Sequence, residues 1–222
     1  LQIFNDKWWE PGFTEWTNVA KAKPLFPGHY QPKLPGELGF YDLRVPATRE
    51  KQAELAKLAG IESFMYWHYW TGGHKVLNEV LEDVVRTKKP DMGFSLCWAN
   101  HSWTKCAWNG FDKTTMLMKQ KYSGAEDHKK HFYDLLETFK DERYTRVNGK
   151  LLFGIFSPLD IPDINQFISQ WNQLAYDNGL NGFYFVALNK NRTKAKELLS
   201  FGYDAVIEDL MDDFRQSCYA YT

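Results

Sequence analysis

Residues 61–70 read IESFMYWHYW, a short apolar and aromatic run bounded by Gly60 and by Gly72–Gly73. Its length and continuity predict a buried β-strand. The same kind of run returns at residues 92–99 (MGFSLCWA), 151–156 (LLFGIF) and 183–188 (FYFVAL), and begins again at 204–208 (DAVIE). Amphipathic segments stand between the runs. Within residues 75–87, Val76, Leu77, Val80, Leu81, Val84 and Val85 recur at helical spacing. Residues 125–141 place Phe132, Leu135, Leu136 and Phe139 on one helical face. A helix over 164–178 stops at Gly179, and one over 193–201 is capped by Thr193 and ended by Gly202. Residues 40–60 read as a loop and then a helix that ends at Gly60, and 147–150 (VNGK) as a tight turn. Residues 1–40 are irregular, and 100–123 form a long loop carrying Trp103, Trp108 and Tyr122.

Buried strands alternating with amphipathic helices imply a parallel sheet covered by helices. The chain has no GxGxxG and no GxxxxGK[ST] pattern. That weighs against a nucleotide-binding open sheet and makes an α/β fold of the (β/α)8 TIM-barrel type the expectation. A complete barrel takes eight units in about 250 residues. This chain of 222 residues shows only five to six, so the barrel is expected to be incomplete and cut at one or both ends. No low-complexity linker interrupts residues 1–222, which are read as a single partial barrel domain.

The balance of 44% hydrophobic and 25% charged residues is that of a globular chain. A formal net charge of -1 gives no footprint for nucleic acid or an anionic membrane. No apolar run approaches the ~20 residues of a membrane helix, and residues 1–5 do not read as a signal peptide. Cys97, Cys106 and Cys218 form no CxxC and no even framework, which excludes a disulfide scaffold and a four-thiolate zinc site. Aromatic content is the deviation: 17% Phe, Trp and Tyr, with nine Trp, exceeds what a core needs, since each indole N–H must find an acceptor. Planar amphipathic rings on loops suit a sugar-binding cleft.

Barrel chemistry sits where strands end and the next loops begin. Those corners hold Tyr66, Trp67, His68, Tyr69 and Trp70; then Trp98, Asn100, His101, Ser102 and Trp103; then Ser157 and Asp160; then Asn189; then Glu208. Rings would stack on sugar C–H faces, while Asn, His and Glu bond hydroxyls. Bland alternatives stand beside each: packing for Trp67, Trp70, Trp98 and Trp103, a hydrogen-bonded neutral ring for His68 and His101, and an ion pair for Glu208. Nothing in the spacing of His68, His101 and Glu208 demands zinc, and neither a metal nor a cofactor is expected. There is no GxSxG elbow. Cys97, inside an apolar strand, reads as buried and inert.

The blocks NDKWW (5–9), GFTEW (12–16), HYQP (29–32), REKQAELAKLAGI (49–61), FMYWHYW (64–70), SLCWANHSWT (95–104) and NGKLLFGIFSPLDIPD (148–163) together resemble the WbsX family over nearly the whole chain. Its members are described as glycosyltransferases of lipopolysaccharide O-antigen loci, and it is related to glycoside hydrolase family 99, (β/α)8-barrel enzymes acting on α-mannosidic linkages. The resemblance implies an oligosaccharide or polysaccharide substrate and a bacterial cytoplasm or periplasm. It adds Glu15 and Trp16 of GFTEW and Tyr30 of HYQP to the substrate-binding candidates Trp67, His68, Trp70, Trp98, Asn100, Trp103 and Asn189. His101 and Glu208 are the catalytic candidates.

The departures matter as much. A first strand of the kind YLPQFHP is largely missing before Asn5. Where the family reads CWANENW, His101 and Ser102 stand in this chain. After Gly202-Tyr203-Asp204-Ala205 the match to the family strand ends at Glu208. The family's candidate catalytic pair, two glutamates in an NEWxEG block, has no counterpart between Ala205 and Thr222. In family 99 hydrolases such a pair deprotonates the sugar 2-hydroxyl that attacks the anomeric carbon and protonates the leaving oxygen. The expectation is therefore a carbohydrate-active barrel fragment. Hydrolase leads over transferase, because no DxD or phosphate loop stands ready for an activated donor. A non-catalytic glycan-binding remnant is the alternative.

Overall fold

Parallel strands follow one another across the sheet in chain order. The computed structural model describes residues 14–104, 115–189 and 194–208, without the side chains of Glu15, Asn189 and Glu208. Its strands are β1 (Ser63–Thr71), β2 (His74–Val76), β3 (Gly93–Trp98), β4 (Trp103–Thr104), β5 (Met116–Met118), β6 (Arg146–Val147), β7 (Lys150–Ile155), β8 (Phe183–Asn189) and β9 (Ala205–Glu208). The helices are α1 (Glu15–Lys21), α2 (Pro46–Leu58), α3 (Glu79–Thr87), α4 (Ala125–Asp134), α5 (Leu136–Phe139), α6 (Ile164–Asp177) and α7 (Ala195–Ser200). The main sheet runs β2-β1-β3-β7-β8-β9, with β6 hydrogen-bonded to β7. β1, β3, β7, β8 and β9 pair in parallel. Each parallel strand lies beside its predecessor, with no reversal of order. A doubly wound sheet reverses at its switch point, whereas a barrel adds each strand to the same side. The chain is thus α/β with a parallel central sheet, an incomplete (β/α) barrel.

The chain divides into two compact units, Leu1–Glu62 with Glu79–Met92, and Ser63–Asn78 with Gly93–Thr222. The first holds α1, α2 and α3. Arg49 of α2 is buried, donating from Nη1 to the Leu43 carbonyl at 2.6 Å and from Nη2 to the Asp83 carboxylate of α3. Lys57 of α2 donates to the Asp91 carbonyl at 2.6 Å.

The second unit holds the sheet, and its two faces differ. Register puts Phe94, Leu96 and Trp98 of β3, Leu151, Phe153 and Ile155 of β7, and Phe183 and Phe185 of β8 on one face. All are buried. Trp171 of α6 is fully buried against that face, with ring centroids 4.9 Å from Phe153, 5.2 Å from Phe183 and 6.4 Å from Phe185. It also meets Phe167 at 4.6 Å and His131 of α4 at 4.9 Å. Its indole N–H donates to the His128 carbonyl at 3.0 Å, the partner a buried indole needs. On the other face Met65 and Trp67 of β1 are 38% and 49% exposed. We call this the open face.

The expected strands recur within a few residues of their anticipated limits. Four segments differ. The expected helix over 75–87 is a hairpin first and a helix only from Glu79: Gly72 and Gly73, at φ 51° and 84°, turn the chain back, so that Thr71 pairs with His74 and Tyr69 with Val76. A Gly-Gly pair with both residues at positive φ makes a tight hairpin turn, and that local geometry overrides the helical spacing of Val76 and Leu77. The helix expected over 125–141 breaks at Leu135, between α4 and α5. Residues 1–40 contain α1, and the loop over 100–123 contains the β4–β5 ribbon, with Trp103 opposite Met118. Asn148 and Gly149 form the anticipated turn between β6 and β7. Thr193, expected as a cap, and Trp108 lie outside the described residues.

Trp171 sets the cost of breaking this packing. Trp171→Ala is expected to destabilise the fold by about 3–5 kcal/mol in urea unfolding. Trp171→Phe, which keeps a ring but loses the N–H donor, costs less. Equal costs would show that the hydrogen bond, not ring packing, governs the site.

Candidate functional site

The strand ends are stitched together by backbone and by one buried amide. Ala99 N–H donates to the His68 carbonyl at 2.8 Å, and Phe156 N–H to the Trp98 carbonyl at 3.0 Å, so the ladder runs on past β3 and β7. Asn100 follows at 0% exposure. Its Oδ1 accepts from Ser157 N–H at 2.7 Å, and its Nδ2 donates to the Ser157 carbonyl at 2.8 Å and to the Tyr122 hydroxyl at 3.0 Å. The Tyr122 hydroxyl in turn donates to the Asn100 carbonyl at 2.8 Å. Burial pushes this phenol up to about 12, so it stays protonated and a donor.

On the helix-covered face lie His68, Trp70 and Trp98. His68 Nε2 is 2.8 Å from His131 Nε2, and both rings are buried. One ring must carry the hydrogen there and the other the lone pair, so the two rings cannot both be charged. Trp70 stacks on His131 at 4.8 Å and 3°, and donates to Asp127 Oδ1 at 3.2 Å. Trp98 Nε1 donates to the Trp70 carbonyl at 3.0 Å. Burial, with Lys75 adding to it, holds His68 down at about 3. Burial also holds His131 well below its ordinary value, helped by His68 and His128. His128 is lowered by burial, against the pull of Asp163 and Asp127.

The open face carries Trp67. Its ring meets Phe156 edge to face at 5.0 Å, and Phe156 meets His101 at 4.8 Å, so Trp67 and His101 share one aromatic neighbour. Tyr69, two residues on, meets Trp103 at 5.0 Å. Cys97 lies below, beside Gly154, where an added Cβ would stand 3.1 Å from its Sγ. Burial pushes the Cys97 thiol up to about 12, so it is no thiolate at neutral pH.

The remaining candidates fall elsewhere. Trp16 belongs to the first unit, where it donates to the Tyr41 carbonyl at 2.9 Å and meets Phe40 and Tyr41 edge to face. Trp16, Phe40, Tyr41 and Asp42 line an open cavity of about 400 Å³. Tyr30 of the same unit is 71% exposed. Asn189 and Glu208 are register partners at the ends of β8 and β9, and their side chains, like that of Glu15, lie outside what is described. Among the described residues no group of three His, Cys, Asp or Glu is placed to hold a metal, and no helix is long and apolar enough to cross a membrane.

Sequence reasoning did not single out His131, Tyr122 or Phe156 as site neighbours. His131 sits at i+3 from His128 on α4, a buried polar pair within an otherwise apolar helix face, and that was the available signal. Tyr122 and Phe156 carry no sequence signal of their partners, which are 22 and 55–89 residues away.

The profile of a family described as "Glycosyltransferase WbsX" matches residues 2–220. A protein named "Uncharacterized protein WxcX" from Xanthomonas campestris pv. campestris (strain B100) is 33% identical over 205 residues, covering 92% of this chain and 29% of its own length. The same figures hold for its counterpart in strain ATCC 33913. The chain therefore spans under a third of the length of these curated relatives. Among solved structures, a "Glycoside hydrolase-like protein" has a TM-score of 0.54 at 17% identity, over 79% of this chain and 53% of its own. The GH99 endo-alpha-mannosidase from Bacteroides thetaiotaomicron has a TM-score of 0.50 at 14% identity, over 77% and 45%. Its complex with bis-tris-propane has a TM-score of 0.52 at 14% identity, over 77% and 48%. At such identities the likeness is one of fold.

The buried histidines predict an acid-sensitive fold. His68 falls from 6.5 to about 3 on folding, so the unfolded chain takes up the proton first as pH drops. Its contribution to stability is complete above pH 6.5 and is lost between there and pH 3. The expected slope is roughly 1.4 kcal/mol per pH unit for such a group. Urea unfolding of His68→Gln between pH 7 and 4 should show a flatter slope than wild type; an equal slope would place the acid sensitivity on other groups.

Proposed function

This chain belongs to the Glycosyltransferase WbsX family, and from that premise we propose that it forms the sugar-binding part of a carbohydrate-active enzyme. The substrate class is a complex oligosaccharide or polysaccharide, with α-mannosides the first to test. The observation that carries the proposal is Trp67, 49% exposed on the open face midway along β1 and one residue before its parallel pairing with β3 ends, with Phe156 and His101 beside it. A half-exposed indole braced edge-on by another ring offers a flat apolar surface, and a neighbouring imidazole offers a polar group for a hydroxyl. Tyr69, two residues further along β1, and Trp103 of β4 extend the wall toward the end of the strand.

On this reading the candidates divide by their surroundings. Trp67, His101 and Trp103 face the glycan. His68, Trp70 and Trp98, packed on the covered face, hold the strand ends in place. Glu208 is proposed as a functional carboxylate at the end of β9, and Asn189, its register partner, as a neighbour in that corner. Trp16, Tyr30 and Glu15 are proposed contacts of the first unit. Cleavage is preferred over transfer, since the sequence carries neither a DxD run nor a phosphate loop. The fold likeness to a GH99 endo-alpha-mannosidase supports the same choice.

Binding of α-linked manno-oligosaccharides to Trp67→Ala tests the reading. The affinity is expected to fall at least about tenfold, equal to ~1.4 kcal/mol. The thermal midpoint should stay close to wild type, because the ring is half exposed. Unchanged affinity in a folded Trp67→Ala protein contradicts the assignment. Glu208→Gln removes only a charge; lost turnover with an unchanged midpoint is expected, and wild-type activity in a destabilised variant would make Glu208 an ion-pair partner instead.

A further inference from the structure

We infer that Asn100 is a positioning residue: it clamps the two loops that carry the aromatic wall and does not itself touch sugar. The inference rests on the reading of that wall as a glycan site. Asn100 is fully buried, and both hydrogens of its amide are spent, one on the Ser157 carbonyl at 2.8 Å and one on the Tyr122 hydroxyl at 3.0 Å. An amide in that condition has no donor left for a ligand. Its Oδ1 takes the Ser157 N–H at 2.7 Å, so both backbone polar groups of Ser157 are fixed by one side chain.

The consequence falls on the neighbours. Phe156 is held on one side by its own N–H bond to the Trp98 carbonyl at 3.0 Å and on the other by the locked Ser157. Phe156 is the ring shared by Trp67 and His101. Tyr122 closes the return leg of the β4–β5 ribbon. Gln120 of that leg donates from its side-chain amide to the Trp70 carbonyl at 3.0 Å and from its backbone N–H to the Ser102 hydroxyl oxygen at 3.0 Å. Pinning Tyr122 therefore steadies β5 and, through the register of Trp103 with Met118, the indole that meets Tyr69. These partners of Asn100 all lie in loops at strand ends. The Tyr122 ring also meets Trp98 of β3 at 5.8 Å, so the clamp joins the loops to the end of the sheet.

Fluorine NMR of the whole chain labelled with fluorotryptophan, with resonances assigned through Trp→Phe variants, tests the clamp. In Asn100→Ala and in Tyr122→Phe the Trp67 and Trp103 resonances should shift and broaden while Trp171 stays in place. The Ser157 amide in Asn100→Ala should exchange with solvent at least about tenfold faster. The double variant should move the rings no further than Asn100→Ala alone, because both substitutions break one network. Trp67 and Trp103 resonances unmoved in folded variants overturn the inference, and so does a Trp171 resonance that moves as much as theirs. If Asn100→Ala does not fold, Tyr122→Phe, which deletes a single oxygen, decides on the same criteria. The two readings separate cleanly. Rings that move while no variant alters manno-oligosaccharide binding leave the clamp standing and remove the glycan site. Rings that stay put while Trp67→Ala loses binding do the reverse.

Discussion

The indole of Trp171 fixes which side of the sheet is interior. It lies against Phe153, Phe183 and Phe185 on one face, and is anchored by its N–H to the His128 carbonyl. Once α6 and α4 cover that face, the period-two alternation of every strand is decided. Phe94, Leu96 and Trp98 go in, and Cys97 and Trp67 go to the other side. Burial of large aromatics drives this choice, at about 25 cal/mol per Å² of apolar surface removed from water. The open face is the remainder: the side of a barrel-type sheet that helices do not take.

That choice separates two sets of residues that look alike in the sequence. Trp67, His68, Tyr69 and Trp70 are consecutive, yet Trp67 is half exposed while His68 and Trp70 are buried beside His131. The strand itself was legible, because a continuous apolar run between glycines has few other readings. Its facing was not, because a run with rings on both sides contains no alternation from which to read an inside. Strand order without reversal, and so the barrel type, was legible from the repeated units and the missing phosphate loops. The hairpin at Gly72–Gly73 was written in the sequence as well, but the apolar spacing of Val76 and Leu77 obscured it. Local turn geometry won because two residues at positive φ leave the chain one way to go.

The candidate site was legible as a set of corners and not as a set of contacts. Sequence placed Asn100 and His101 at the end of β3, where the structure has them. It could not show that Asn100 spends its amide on Ser157 and Tyr122, since those partners come from loops 57 and 22 residues away. Nor could it show that His68 faces His131 across 63 residues. Both are long-range pairings of polar groups, enforced by the cost of leaving a buried donor or acceptor unpaired. Three layers result: an aromatic core that selects a face, neutral histidines and a saturated amide at the strand ends, and a row of rings on the face left over.

The central claim is that this remaining face receives sugar. A crystal structure of the full-length protein with a bound manno-oligosaccharide measures it directly. The account predicts a pyranose ring lying against the Trp67 indole, within contact of His101 and Phe156, with His68 and Asn100 out of reach of the ligand. A sugar bound elsewhere, with Trp67 packed beneath protein side chains, would contradict it.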